Sequence, residues 1–344
     1  MQIDPLVSII IPAYNAEHTI LRALNSLTSQ TFKDDVEVII INDGSMDGTA
    51  EVVNNFYNEN SLDWKLISQV NSGEAEARNT GLDSCKGKYI LFLDADDSLH
   101  AEALELLVRS AEENQCDLVF SSYRKVFSEK KYRDYKIKKS SYSSSELIEN
   151  FFQRRITIGI GNTLISGVLV REKNLRFKSY RAGTDNHFFR YYLRYVNTGH
   201  SVSELLFYYH VNNDSVMLKT YSIGRVDSIL SVLDTRKTFI DDGASHVARA
   251  SLDVFLINEI RGNATDYLLS TNNYFSGKSW TYVKNKILVY MPRAVDKKVF
   301  FGTRRLAWTL LVLTFFYFPR STLYAYLSLI KLRNKLENTI HRYQ

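Results

Sequence analysis

The sequence predicts an α/β protein: an open, mostly parallel twisted sheet flanked by helices, followed by a helical C-terminal extension. Three observations predict it. Short Val/Ile-rich runs alternate with amphipathic segments of helical length through the first hundred residues. A polar cluster follows each run, and no Gly/Ser/Pro-rich linker or low-complexity tract breaks the alternation.

The elements follow in order. The run Val7–Ile11 precedes the helical segment Ala16–Ser29, Val36–Ile41 precedes Gly48–Asn58, Trp64–Gln69 precedes Glu74–Ser84, and Tyr89–Leu93 precedes Ala101–Asn114. Units of this kind pair their strands in parallel through right-handed crossovers. Beyond Asp117 the pattern changes to Leu118–Phe127, a basic stretch Arg124–Lys139, and a helix over 145–153 opened by a capping box from Ser143 to Glu146. Residues 221–290 read as mainly helical, and no internal repeat is present. The expected organisation is an α/β domain over 1–220, a helical region over 221–290 and a basic, apolar tail over 291–344.

At 344 residues, 45% hydrophobic and 24% charged, the chain can bury a core and suits one large domain with additional elements. Pro occurs four times, which with the apolar content excludes a disordered scaffold or a collagen-like repeat. Cys85 and Cys116 stand 31 positions apart with no CxxC and no nearby His cluster, so neither a disulfide framework nor a zinc site is indicated, and a reducing cytoplasm fits. The opening MQIDPLVSIIIPAYN has no basic n-region, and no signal peptide is expected.

The net charge of +5 is unevenly placed: residues 291–344 hold ten Lys/Arg against Asp296 and Glu337, or +8, leaving −3 for the rest. That tail holds an uncharged run Leu306–Phe318, then Pro319-Arg320 and a second apolar stretch Ser321–Ile330. A 13-residue helix rises about 20 Å, short of a hydrocarbon core of roughly 30 Å. Three readings of 306–330 stay open: a peripheral anchor on an anionic cytoplasmic leaflet, a buried or dimer-forming helical pair, and a membrane span that would bury Arg320. In Arg124–Lys139, eight Lys/Arg first suggest nucleic acid, but Glu129 and Asp134 intervene and Tyr132, Tyr135 and Ile137 alternate, so a solvated hairpin and no nucleic-acid partner are expected. Trp64 and Trp280 read as core residues and Trp308 as a membrane-interface residue.

Ligands of open α/β sheets bind beyond the carboxyl ends of the strands. There stand Pro12-Ala13-Tyr14-Asn15, then Asn42-Asp43-Gly44-Ser45-Met46-Asp47-Gly48-Thr49, then Asn71 to Asn79 with Arg78, then Asp94-Ala95-Asp96-Asp97. Singly, each has an ordinary reading as a turn or a helix cap. Three carboxylates in four residues, however, repel unless a cation or hydroxyl donors compensate, and a divalent ion such as Mg²⁺ or Mn²⁺ would join them to a diphosphate. The PAYN turn contains neither GxGxxG nor GxxxxGK[ST], which removes the main support for a dinucleotide oxidoreductase or a P-loop NTPase.

The segments VSIIIPAYNAEHTILRALNSLTSQTFKDDVEVIIINDGSMDGT, NSGEAEARNTGL and GKYILFLDADD, in that order, resemble the N-terminal signature of family 2 glycosyltransferases with the GT-A fold, of the bacterial polysaccharide-biosynthesis type. With a weaker match downstream, the resemblance covers roughly 6–217. It implies an inverting transferase that uses a nucleotide-diphosphate sugar, most often a UDP-sugar, with Mn²⁺ or Mg²⁺. By the family pattern Pro12, Tyr14 and Asp43 line the nucleobase pocket, with Asn15 in the same turn and Asn42 where Asp is usual. Arg78 lies near the ribose-diphosphate, Asp94 and Ala95 near the ribose or donor sugar, and Asp96 is the principal metal ligand. The segment Gly183 to Arg190 resembles the family's Glu-Asp-x-x-Phe-x-x-Arg motif, which puts Asp185 in the place of the general base and Thr184 where Glu is usual. As an ordinary reading, Asp185 caps a helix over 186–196, and His187 is structural. His210 stands where the family's Tyr-Arg-x-x-x-x-Ser loop has Arg, and would contact the diphosphate or the metal, or serve as a loop histidine.

The resemblance implies a donor nucleotide-sugar, a saccharide or lipid-linked saccharide acceptor in surface polysaccharide assembly such as capsule, and a cytoplasmic enzyme at the inner face of the membrane; a homo-oligomer stays open. Two other classes compete. A sugar nucleotidyltransferase would carry a basic Gly-rich turn after the first strand, and PAYN does not supply it. A catalytically silent partner subunit is disfavoured by intact Asp96 and Asp185.

Overall fold

The structure, a computed structural model, describes residues 4–32, 35–59, 62–180 and 183–211, together with 231, 232, 234, 235, 238, 239 and 252. The chain divides into two units, Met1–Lys219 and Thr220–Gln344. The described residues of the second unit are helical, with Thr235 Oγ1 donating to the Ser231 carbonyl at 2.8 Å. The expected tail helices, Trp280 and Trp308 lie outside the described residues. Among the described residues no helix is long and apolar enough to cross a membrane.

The first unit opens with β1 (Val7–Ala13), α1 (Ile20–Thr28), β2 (Val36–Asp43), α2 (Thr49–Glu59), β3 (Asp63–Gln69), α3 (Glu74–Ser84) and β4 (Tyr89–Phe92). It continues with β5 (Ser98–Leu99), α4 (Ala103–Asn114), β6 (Leu118–Ser128), β7 (Lys131–Tyr135), β8 (Ser141–Ser143), α5 (Ser144–Phe152), β9 (Thr163–Ser166), α6 (Gly167–Glu172), α7 (Thr184–Tyr192) and β10 (Thr198–His210). One sheet runs β3-β2-β1-β4-β9-β6-β10-β5, with β7 added to β6 and β8 to β10. The β3-β2-β1-β4 half is parallel, as is β6 beside β10, whereas β9 runs antiparallel between β4 and β6. The α/β class and the mostly parallel sheet expected from the sequence are therefore present.

Burial explains the pattern. Every residue of β2 and nearly all of β1 is buried, because α1 and α2 cover one face and α3 the other, so central strands read as continuous apolar runs. The edge strand β3 alternates instead, burying Trp64 and exposing Asp63 and Lys65. Helix α3 has a nearly featureless hydrophobic pattern, yet it lies close on β1 because Gly81, one turn after buried Ala77, sits against Ile10. A Cβ at Gly81 would stand 2.3 Å from Ile10 Cγ2.

Two helix starts beside the site differ from expectation. Helix α1 begins at Ile20, not Ala16, because the preceding turn is tied sideways: Ala16 N donates to Thr49 Oγ1 at 2.8 Å and Glu17 N to Asp47 Oδ2 at 3.2 Å. Helix α7 begins at Thr184 after Gly183, whose φ of 82° makes it the N-cap, so Asp185 sits inside the first turn and does not cap it. The capping box at Ser143 and Glu146 is formed as expected.

Candidate active site

Strands β2 and β3 succeed β1 on one side, and the chain then crosses back to place β4 on the other, so the strand order reverses between β1 and β4, the point at which open α/β sheets bind ligands beyond the carboxyl ends of their strands. The polar clusters converge there. The β1 and β2 turns interlock: Asn15 N donates to Ser45 Oγ at 3.0 Å, Met46 N to Asn15 Oδ1 at 2.9 Å, and Ser45 N to Asn42 Oδ1 at 3.1 Å. Pro12 is half-buried at the end of β1, and Tyr14 stands out at 48% exposure on the rim.

Asp43 is buried, and both its oxygens are engaged. Gln69 Nε2 and Ser72 N donate to Oδ1 at 2.7 and 2.9 Å, and Gly73 N donates to Oδ2 at 2.9 Å. The carboxylate thus shapes the loop that starts α3. Gly44, at φ 70°, passes so near this loop that a Cβ would lie 2.7 Å from Asn71 N, which only glycine tolerates.

Arg78, on α3, is fully buried and faces three carboxylates. It donates to Glu74 and, at 2.7 Å, to Asp94 Oδ1; its Nη1 lies 3.9 Å from Asp185 Oδ1 on α7. Nε and Nη1 have no hydrogen-bond acceptor among the described residues, and the guanidinium lies 5.3 Å from the Phe177 ring centre. Burial opposes its charge, but Glu74, Asp94 and Asp185 hold the proton far more firmly than usual.

Asp94, Asp96 and Asp97 bring their carboxylate oxygens within 4.8 Å of one another. Arg22 Nη1 donates to the Asp96 carbonyl at 2.8 Å, and Ala95 is buried between the acids. Asp97 is buried, its Oδ1 accepts from His210 N at 2.8 Å, and its Oδ2 has no donor among the described residues. Burial first, then the neighbouring carboxylates, push the Asp97 carboxyl well above the usual range. Burial raises Asp94 too, against the pull of Arg78. His210 Nε2 lies 3.0 Å from Ser98 Oγ, and burial together with Arg22 lowers its imidazole to about 4. An under-compensated triad of hard oxygen donors, one of them buried with a bare oxygen, fits a small divalent cation.

The sequence-based set is therefore brought together in part. Arg78, Asp94 and Asp185 meet, Asp96 and His210 adjoin through Asp97, and Asn15 and Asn42 meet at Ser45. Thr184 Oγ1 donates to the Tyr180 carbonyl at 3.0 Å and is buried, and His187 is buried between Tyr180 and Tyr191 as a structural residue. Sequence reasoning gave no role to Glu74, Phe177 or Asn79, and counted Asp97 among the three carboxylates without assigning it a separate role. Glu74 carried a signal, four positions before Arg78 on one helix, and Asp97 belonged to the acidic run. Asn79 grips the Phe177 backbone at 3.0 and 2.8 Å across 98 positions, a contact with no local signature.

The architecture defines a GT-A domain: it superposes on Staphylococcus aureus TarS 1–349, solved in complex with UDP-GlcNAc, at TM-score 0.71 and 20% identity, covering 83% of this chain and 81% of that one. Residues 8–171 of the 344 match the family model "Glycosyl transferase family 2". Among relatives, the putative glycosyltransferase EpsH of Bacillus subtilis is 27% identical over 270 residues, 74% of each chain. Glycosyltransferase GlyA of Streptococcus pneumoniae is 34% identical over 125 residues, 36% of this chain. The match spans only 17% of GlyA's length.

Proposed function

We propose that this chain is an inverting, divalent-metal-dependent glycosyltransferase that moves a sugar from a UDP-sugar to a saccharide acceptor in surface polysaccharide biosynthesis. The observation that carries the reading is the meeting, at one sheet edge, of the Asp94–Asp96–Asp97 triad with Arg78 and Asp185. UDP-GlcNAc in TarS, which shares the fold, supports a nucleotide-sugar donor.

Asp96, with Asp94 and Asp97 beside it, would hold Mn²⁺ or Mg²⁺, which when bound neutralises charge on the departing diphosphate. Pro12, Tyr14 and Asp43 line the nucleobase pocket with Asn42 beside them, and Asp43 also holds the loop that starts α3. Arg78, fully buried and held by Glu74 and Asp94, supplies a fixed positive charge at the site of the diphosphate. Asp185 accepts the proton of the acceptor hydroxyl as its oxygen bonds to the anomeric carbon. The bond from that carbon to the diphosphate oxygen breaks on the opposite face, UDP leaves, and the anomeric configuration inverts. The acceptor is read as a saccharide or lipid-linked saccharide and the enzyme as cytoplasmic at the inner membrane face, with a homo-oligomer left open.

Donor hydrolysis across UDP-, GDP- and dTDP-sugars with Mn²⁺ or EDTA tests the reading. Metal-dependent UDP release from one donor, lost in Asp96→Ala, is expected; Asp185→Asn should bind donor yet abolish transfer. Near-normal turnover in Asp185→Asn removes it as the base. An absence of both hydrolysis and donor binding with every nucleotide would leave a silent partner subunit.

A further inference from the structure

The β6–β7 hairpin stands apart from the chemistry just described. Strand β10 ends at His210 opposite Val126, so residues 127–131 project past the carboxyl edge of the sheet, the edge that carries the acidic triad. Among the described residues, strand β7 pairs with β6 alone. Of the eight cations between Arg124 and Lys139, Arg124 is held by both oxygens of Asp134, at 2.7 and 3.0 Å, and Lys139 by Glu146. Among the described residues, Lys125, Lys130, Lys131, Arg133, Lys136 and Lys138 have no ion pair, and Glu129 is the one other carboxylate within Arg124–Lys139.

Aromatic rings are interleaved with them. Phe127 is 41% exposed and Tyr132 54%. Lys125 and Lys131 lie 5.5 and 5.6 Å from the Phe127 ring centre, and Arg124 lies 4.0 Å from that of Tyr132. Cations therefore already cap these rings, which disfavours nucleobases, since those need a bare ring face to stack on. A soluble polyanion would use the charges but has no need of an exposed phenylalanine at a projecting tip. An anionic bilayer uses both, taking aromatic rings at headgroup depth and lysines at its phosphates.

We propose that the tip of this hairpin is a membrane-contact surface that docks on anionic phospholipid, holding the acidic sheet edge toward the bilayer. This stands whether or not the catalytic reading holds, and is separate from any contact by residues 306–330.

The test is flotation of the full chain with vesicles of phosphatidylcholine alone and of 70:30 phosphatidylcholine:phosphatidylglycerol, at two salt concentrations. Binding to the anionic vesicles only, weakened by salt, is expected. The K125Q/K131Q/R133Q variant should bind about 100-fold more weakly, from three lost cations, and Phe127→Ser several-fold more weakly, each with unchanged far-UV circular dichroism and donor hydrolysis. Equal binding by the triple variant would place attachment elsewhere in the chain and overturn the proposal. So would an absence of binding, or competition by inorganic polyphosphate at equal phosphate together with an unaffected Phe127→Ser, which would mark a soluble-polyanion site.

Discussion

Replacing Asp43 with asparagine tests whether this carboxylate builds the site or only lines it. Three donors reach its oxygens, Gln69 Nε2, Ser72 N and Gly73 N, at 2.7, 2.9 and 2.9 Å. An amide keeps the shape but has one accepting oxygen. Turned to keep Gln69 and Ser72, it points its NH₂ at the Gly73 N–H. Hydrogen bonds to a charged acceptor contribute about 1.5–3 kcal/mol and neutral ones about 0.5–1.5 kcal/mol. The change thus loses about 1 kcal/mol at each retained bond and about 2 kcal/mol at Gly73, where two donors then oppose. Relief from burying a charge offsets part of this, leaving a net destabilisation of about 2–3 kcal/mol. Urea unfolding at pH 7, with an unchanged m-value, reads the stability, and hydrogen exchange should show the Ser72 and Gly73 amides opening faster. A loss below about 0.5 kcal/mol with unaltered exchange at both amides would refute the argument. A fall in UDP affinity without a stability change would mean that Asp43 serves the nucleobase alone.

Other outcomes follow from single contacts. Gly81→Ala forces a methyl into the space of Ile10 Cγ2 between α3 and β1, and should cost about 1–3 kcal/mol in chemical unfolding. Tyr192 is fully buried, its hydroxyl donating to the Asp117 carbonyl at 2.5 Å and accepting from Ser166 N at 2.8 Å; because Ser166 N also donates to the Asp117 carbonyl at 2.9 Å, Tyr192→Phe leaves those two paired and should cost only about 0.5–1.5 kcal/mol, seen as a slightly lower Tm. Lys139 first, then the Ser143 backbone and hydroxyl, lower the exposed Glu146 carboxyl from 4.5 to about 2. A depressed carboxyl stabilises the fold above its unfolded value, so this contribution is lost as pH falls from 4.5 toward 2. Glu146→Gln should flatten that part of a pH series of unfolding midpoints, and an unchanged slope would refute the assignment.

The sequence by itself determined the βα frame. Strands β1, β2 and β4 are buried on both faces, so their position is written locally as unbroken apolar runs, and α3 was located at both its ends. The acidic cluster and Arg78 were legible for the same reason, because chemistry in such a sheet collects where each run stops. Tertiary structure alone decided what those groups face. Strand β9, four residues long, enters antiparallel between β4 and β6, and nothing in Thr163–Ser166 encodes partners so far away in the chain. Asp185 reaches Arg78, and Phe177 lies against the guanidinium, because Asn79 clamps a segment 98 positions on. Asp43, expected at the nucleobase, also accepts three hydrogen bonds from the end of β3 and the loop that follows it. Local pattern records which face of an element is buried and which torsions a residue prefers; it does not record which of many polar groups at one edge pair with each other. That choice is made by packing between distant segments, where each buried charge must find its hydrogen bonds.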